Sequence, residues 1–250
     1  MTEWSIGKIK NIKYWTNNFF SIILKAKINN FFAGQFTKLA LNINNKKIQR
    51  AYSYINPPKN QNYEFYISNI HKGNLTPYLY KLKINDEIMI AKNSLGNFTI
   101  NNIQSCQNLW MLSTGTGIGP YLSILQDDIC FQKFKKIILI HSIRYIENFN
   151  YLNLVQKIKR KYNDQFIIQI ILTRKININN SILYGYIPDL IKSGKIEHNI
   201  GIKIDTNNSH IMLCGNPNMI KQTRIFLEKY KNFSKNLINK KGNITYEQYW

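Results

Sequence analysis

Acidic residues are scarce. Asp and Glu number 13 against 34 Lys and Arg, leaving a formal charge of +21. Cysteines are three, Cys106, Cys130 and Cys214, widely spaced and without a paired motif. That spacing fits reduced thiols in a cytosol better than a disulfide framework. The four histidines share no ligand spacing with them, so no metal site is expected. No apolar run approaches the ~20 residues that cross a bilayer, and the opening Met1-Thr2-Glu3-Trp4 lacks the apolar core of a signal peptide. Neither a membrane span nor a leader is expected. Long basic runs and RNA-binding aromatic motifs are also missing. The positive excess is nearly all Lys, scattered singly or in pairs such as Lys46-Lys47 and Lys135-Lys136, beside heavy use of Asn and Ile. Those three residues share AT-rich codons, so the charge supports an anionic partner without naming one.

What is present divides in two. Up to about residue 100, a length suited to one small domain, short apolar stretches alternate with turns. They run from Ile6 to Ile12, Phe20 to Ile28, Phe36 to Ile43, Lys47 to Tyr54 and Tyr63 to Ile70, with another from Asp86 to Ala91. Strands at this spacing without intervening helices predict an antiparallel barrel or sandwich. Phe19, Phe20, Phe31, Phe32 and Phe36 are expected in its core. A short helix is predicted from Thr76 to Leu82, with Thr76 as N-cap and Pro77 in the first helical position.

From Leu109 the pattern changes. Apolar strands at Leu109 to Leu112, Ile137 to His141, Phe166 to Leu172 and His210 to Leu213 alternate with helical periodicity. Asn216 and Pro217 open the last of these helices as N-cap and first residue. This grammar predicts a doubly wound parallel sheet. The expectation is therefore a β-rich domain over residues 1–100 and an α/β domain over residues 101–250.

Several stretches carry chemistry. Arg50-Ala51-Tyr52-Ser53 puts a cation, an aromatic plate and a hydroxyl at one strand end, able to hold a phosphate and stack on a flat ring; an ordinary strand end reads the same way. Gly115-Thr116-Gly117-Ile118-Gly119-Pro120 lies between a strand and a helix, where small residues admit a pyrophosphate to a helix start. A plain tight turn is the alternative, and the Pro after the third glycine departs from the GxGxxG pattern. Arg144 and Arg174 each follow a parallel strand on the same edge as that turn. Paired guanidinium forks suit a second phosphate, such as the 2′-phosphate of NADP.

Taken in order, Arg50-Ala51-Tyr52-Ser53, Gly73-Asn74-Leu75-Thr76, the glycine turn, Cys214-Gly215-Asn216-Pro217 and the terminal Tyr249-Trp250 resemble the bacterial ferredoxin/flavodoxin–NADP reductases with an aromatic C-terminus. The resemblance spans essentially the whole chain. It implies an N-terminal β-barrel that binds FAD and a C-terminal sheet that binds NADP(H), with electrons passing between NADPH and flavodoxin or a 2Fe-2S ferredoxin. On FAD it implies Arg50 at the pyrophosphate, Tyr52 stacked on the flavin ring, and Ser53 near the atom that receives hydride. It further implies that Gly73, Asn74, Leu75 and Thr76 offer amides to the phosphates, that Thr116 meets FAD, and that Tyr249 and Trp250 cover the flavin ring and the adenine. On the nucleotide it implies Gly115, Gly117, Arg144 and Arg174, with Cys214 and Gly215 flanking the nicotinamide. Ser53 and Cys214 are the candidate catalytic residues, although a small buried thiol at a strand end is the plainer reading of Cys214. Tyr186 stands where relatives often carry a third Arg before Ile187-Pro188, so a narrower preference for NADPH over NADH is expected. An acidic carrier, a cytoplasmic location and a monomer are expected. The rival readings are a free-flavin or oxygenase-coupled reductase of the same superfamily and, from charge alone, a basic nucleic-acid-binding protein.

Overall fold

The computed structural model describes residues 2–174 and 182–249. The chain divides into two compact units: Met1–Ile100 with Gly119–Asp127, and Asn101–Ile118 with Asp128–Trp250. Among the described residues no helix is long and apolar enough to cross a membrane.

The first unit contains β1 (Trp4–Thr16), β2 (Phe19–Lys25), β3 (Phe36–Ile43), β4 (Lys46–Ser53), β5 (Asn62–Ser68), α1 (Thr76–Tyr80) and β6 (Glu87–Ala91). All pairings are antiparallel, in the order β4-β3-β6-β1-β2-β5. A bridge between Tyr54 and Phe65 joins the two ends of that order, so the sheet curls into a barrel. Register shifts in β1 at Ile9/Asn11 and Tyr14/Thr16 supply the extra bend a small barrel needs. Asn44 and Asn45 both have positive φ, 50° and 60°, the geometry of a two-residue I′ hairpin. That turn fixes Ile43 opposite Lys46, and the ladder then sets Arg50 against Leu39, Tyr52 against Thr37 and Ser53 against Phe36. The core gathers Phe20, Leu24, Phe31, Tyr54, Phe65 and Ile90, with the Phe31 and Tyr54 rings stacked 3.9 Å apart. Phe32 departs from the expectation, being 61% exposed. Because its neighbour Phe31 turns inward onto Tyr54, Phe32 is left facing water.

The helix at Thr76 also differs from expectation. Its N-cap is Leu75, which offers no side-chain cap, and Thr76 is already helical. The Thr76 hydroxyl donates to the Ile70 carbonyl at 2.9 Å instead, pinning the Gly73 loop to the residues that follow β5.

The second unit holds β7 (Asn108–Thr114), β8 (Lys136–Ile143), β9 (Phe166–Leu172), β10 (Leu183–Tyr184), β11 (Ser209–Gly215) and β12 (Ile244–Gln248) in one parallel sheet, ordered β10-β9-β8-β7-β11-β12. Near-continuous apolar runs such as Ile137–Ile140 and Ile211–Leu213 are buried on both faces, as a helix-covered parallel sheet requires. After β7 comes a 3-10 turn, Gly115–Ile118, and then α2 (Gly119–Gln126), which belongs to the first unit. There Ser123 donates to the Asn56 carbonyl and Gln126 to the Ile55 carbonyl, each at 2.8 Å. α3 (Ile129–Lys133), α4 (Leu152–Tyr162), α5 (Ile187–Lys192), α6 (Lys195–Ile200) and α7 (Pro217–Lys231) complete the second unit. α7 starts as its sequence predicts, the Asn216 side chain accepting from the amides of Asn218 and Met219 at 2.9 and 3.1 Å.

Two histidines are sealed into this sheet. His141 Nδ1 lies 2.9 Å from Ser113 Oγ, and burial pushes its pKa down to about 3. His210 Nε2 lies 2.9 Å from Thr245 Oγ1; burial, with Lys133 adding to it, pushes its pKa to about 3 as well. The folded values lie below the unfolded value near 6.5. Stability is therefore full above the unfolded pKa and falls with pH, as the unfolded chain takes up protons that the fold refuses. Integrated from pH 7 to 6, the two together cost roughly 1.4 kcal/mol, with a steeper loss below. Urea midpoints measured across that interval should drop accordingly, and His141→Asn with His210→Asn should flatten the slope.

Candidate functional site

In the second unit the strand order reverses between β7 and β11, the point where open α/β sheets bind ligands. The glycine turn leaves β7 there, and Cys214-Gly215-Asn216 leaves β11 beside it. A Cβ on Gly117 would sit 2.6 Å from the Cys214 carbonyl oxygen and 2.8 Å from Gly215 Cα. Only glycine lets these backbones approach so closely. Gly215 has φ +122°, and a Cβ there would meet Thr114 Oγ1 and come within 2.7 Å of the Thr114 carbonyl. Thr114 Oγ1 accepts from the Asn216 amide at 2.8 Å, closing the lacing of the two strand ends. Gly115 is the opposite case: φ is +52°, and nothing lies within 4 Å of where its Cβ would be. The turn thus has open space at Gly115 and a packed strand end at Gly117. Thr116 is buried within it.

Cys214 is buried, and burial raises its thiol well above the ordinary range. The Glu247 carboxylate adds to that rise, while a hydrogen bond from the Tyr249 side chain opposes it. The thiol is therefore neutral at physiological pH and serves as a small apolar wall with one polar contact. Tyr249 also donates its amide to the Gly215 carbonyl at 3.2 Å, at the end of the β11–β12 ladder. Trp250, expected beside it, lies outside the described residues.

Arg144 and Arg174 end neighbouring strands, β8 and β9, and both are exposed. The Arg174 amide donates to the Arg144 carbonyl at 3.1 Å. Arg174 Nη1 donates to the Tyr145 hydroxyl at 3.1 Å, and its guanidinium lies 5.7 Å from the Tyr145 ring centroid. Tyr186, 63% exposed, stands just before α5 and interacts electrostatically with Arg174. The structure so brings together the two arginines, and adds Tyr145 to them.

In the first unit Arg50 and Ala51 are exposed on β4, Tyr52 is half-buried and Ser53 buried. Burial drives the Tyr52 phenol above its usual range, with Arg50 acting the other way. The ring is thus in a dry setting, with a cation close enough to be felt. Gly73 and Asn74 lie in the loop before α1, while Leu75 is buried in the barrel core against which Tyr52 also packs. A Cβ on Gly73 would meet Thr76 Oγ1 at 2.8 Å, so the loop is tight.

Sequence reasoning missed Thr114 and Tyr145. Thr114 immediately precedes the first glycine, where a hydroxyl reaches the neighbouring strand end. Tyr145 follows Arg144, an aromatic next to a cation on a strand-to-helix link. Among the described residues no cluster of three or more His, Cys, Asp or Glu could hold a metal ion.

Comparison with known proteins gives a consistent result. The family model for the oxidoreductase FAD-binding domain matches residues 10–100, and that for the oxidoreductase NAD-binding domain matches residues 111–224. The chain is 48% identical over 259 residues to a flavodoxin/ferredoxin–NADP reductase of Buchnera aphidicola subsp. Schizaphis graminum, covering 100% of both chains. To the protein of the same name from Escherichia coli (strain K12) it is 40% identical over 250 residues, again 100% of both. The crystal structure of a ferredoxin NADP+ reductase from Neisseria gonorrhoeae with bound FAD and NADP superposes with a TM-score of 0.92 at 28% identity, covering 99% of each chain.

Proposed function

The chain belongs to the flavodoxin/ferredoxin–NADP reductase family, and from that premise we propose how its residues divide the work. It is an oxidoreductase that moves electrons between NADPH and flavodoxin or ferredoxin by way of FAD. Bound FAD supplies the chemistry, taking two electrons with a hydride from NADPH and releasing them singly to the carrier. The chain's own residues bind, orient and exclude water.

Tyr52 stacks on the flavin and Arg50 pairs with its pyrophosphate, with Ala51 between them in the sequence of the same cofactor-binding stretch. Gly73, Asn74, Leu75 and Thr76 face the phosphates with backbone amides, and Thr116 meets FAD from the glycine turn. Ser53 places its hydroxyl near the atom that receives hydride. Gly115 and Gly117 hold the nucleotide pyrophosphate, while Cys214 and Gly215 border the nicotinamide. Arg144 and Arg174 grip the 2′-phosphate, with Tyr186 in place of a third cation. Tyr249 and Trp250 cover the flavin ring and the adenine, and the tail yields when the nicotinamide stacks. The carrier is acidic, drawn by a chain with a formal charge of +21, and its rate should fall with salt. The protein works in the cytoplasm as a monomer.

The observation that carries this reading is the lacing of Thr114 to Gly117 against Cys214 to Asn216 at the strand-order reversal, with Gly115 open beside it. The test is optical. The purified protein should be yellow, and NADPH should bleach it under anaerobic conditions. Arg144→Ala and Arg174→Ala should each cut efficiency with NADPH by roughly ten- to a hundredfold, as lost charge-assisted bonds do, and leave NADH nearly unchanged. A colourless protein would sink the flavoenzyme reading, and a wild type equally efficient with both nucleotides would sink the assignment of these arginines.

A further inference from the structure

An exposed arginine samples many rotamers, and fixing one of them on a ligand costs conformational entropy that weakens binding. Arg174 is such a residue, and Tyr145 removes part of that cost before any ligand arrives.

The backbone beneath them is fixed first. The Thr173 amide donates to the Ile143 carbonyl at 2.9 Å, and the Arg174 amide to the Arg144 carbonyl at 3.1 Å. The pairing of β8 with β9 therefore runs two residues past the last register pair, Ile143 with Leu172. Tyr145 is then held by the turn that follows it. Its carbonyl accepts from the Asn148 amide at 3.0 Å, opening the 3-10 turn Ile146–Asn148, and the residue is half-buried.

From this seat Tyr145 holds the guanidinium at two points. Its hydroxyl accepts from Arg174 Nη1 at 3.1 Å, and its ring lies beneath the guanidinium, 5.7 Å from carbon to centroid. One contact acts at the tip of the side chain and the other along its face, so both swing and rotation are restrained. Contacts this exposed add little to the stability of the unit. What they set is where the guanidinium stands. A guanidinium carries five N–H donors, and one committed to Tyr145 leaves a fork that can still take two phosphate oxygens.

We infer that Tyr145 is a specificity-determining positioning residue, holding Arg174 ready for an adenosine 2′-phosphate, so that its loss erodes the preference for NADPH over NADH. The inference rests on the reading that Arg174 grips the 2′-phosphate, and deepens it by naming what places the grip. Only a ligand with that phosphate meets the guanidinium, so only such a ligand gains from its being placed beforehand.

The experiment uses the full FAD-loaded protein. Calorimetric titration with adenosine 2′,5′-bisphosphate reads the phosphate grip without turnover, and steady-state assays give KM and kcat for NADPH and NADH separately. Tyr145→Leu, which removes ring and hydroxyl, should weaken the bisphosphate by roughly five- to thirtyfold, the loss of one hydrogen bond and one exposed cation–π contact. Tyr145→Phe keeps the ring and should lose roughly two- to fivefold. KM for NADPH should rise in the same order, with kcat following far less, and KM for NADH should change several-fold less than KM for NADPH. In an Arg174→Ala background the effect of Tyr145→Leu should vanish, because nothing is left to position. An effect that persists there at full size, or that raises KM for NADH as much as KM for NADPH, overturns the inference: Tyr145 would then touch the nucleotide itself or merely support the unit. If Arg174→Ala weakens the bisphosphate but Tyr145→Leu does not, the positioning is refuted while the grip of Arg174 stands. If Arg174→Ala leaves that affinity unaltered, the grip itself is refuted, and the inference falls with it.

Discussion

Gly215→Ala is expected to destabilise the second unit by roughly 3–5 kcal/mol, combining the strain of a conformation nearly closed to other residues with backbone overpacking. The position has φ +122°, and its new methyl would run into Thr114, within 2.7 Å of the carbonyl of a residue that closes β7 and pairs with Ser142 of β8. Neither side can retreat, because Cys214 is paired with Ser113 one step below. Relief would cost the bond from the Asn216 amide to Thr114 Oγ1, which closes the lacing above α7. Chemical unfolding should show the early loss of this unit, and NADPH should bleach the flavin more slowly at temperatures where the fold survives. Gly194→Ala is the control. Its φ is +72° and nothing lies within 4 Å, so only the conformational cost remains, about 1 kcal/mol. If the two variants melt alike, the close approach of the strand ends is not what holds them.

Tyr52→Ala should raise the dissociation constant for FAD by roughly 30- to 700-fold, the equivalent of removing a central aromatic anchor worth about 2–4 kcal/mol. The ring stands on an exposed end strand of the sheet order with its phenol in a dry setting, so it offers a flat ligand one rigid face. Barrel stability should change far less, since Tyr52 only borders the core that Tyr54 and Phe65 fill. Tyr52→Phe keeps the face and should keep the cofactor. Equilibrium dialysis against FAD separates the cases: retention of FAD by the Ala variant would remove Tyr52 from the centre of the site.

The parallel sheet was legible because strands buried on both faces leave near-continuous apolar runs, as in Lys136–Ile143 and Ser209–Gly215, and because these alternate with helical periodicity. The glycine turn was legible as the link from β7 to α2, where its glycines supply the positive φ of Gly115 and the close approach at Gly117. β12 left no such trace. Its residues Ile244–Gln248 are mostly polar, only Ile244 is buried, and its strand character comes from pairing with β11. α5 and α6 have six residues each, too few turns for periodicity to show, although Pro188 marks where α5 begins. Thr76 carried a good cap signature, yet its hydroxyl found the Ile70 carbonyl, a partner that only the folded loop supplies. Tyr145 and Thr114 were invisible as site residues because their value lies in what stands across the strand ends from them.

The assignment of α2 to the first unit has a consequence for how the protein is made. The chain leaves that unit at Ile100, contributes Asn101–Ile118 to the other, returns for Gly119–Asp127, and leaves again. Emerging from the ribosome, the barrel strands are all present by Ala91, but the carbonyls of Ile55 and Asn56 wait for Gln126 and Ser123. The first unit therefore cannot finish folding until β7 and the glycine turn have also been synthesised. No single cut yields two complete halves: severed after Ile100, the barrel lacks the helix that ties down the loop following Tyr52 and Ser53.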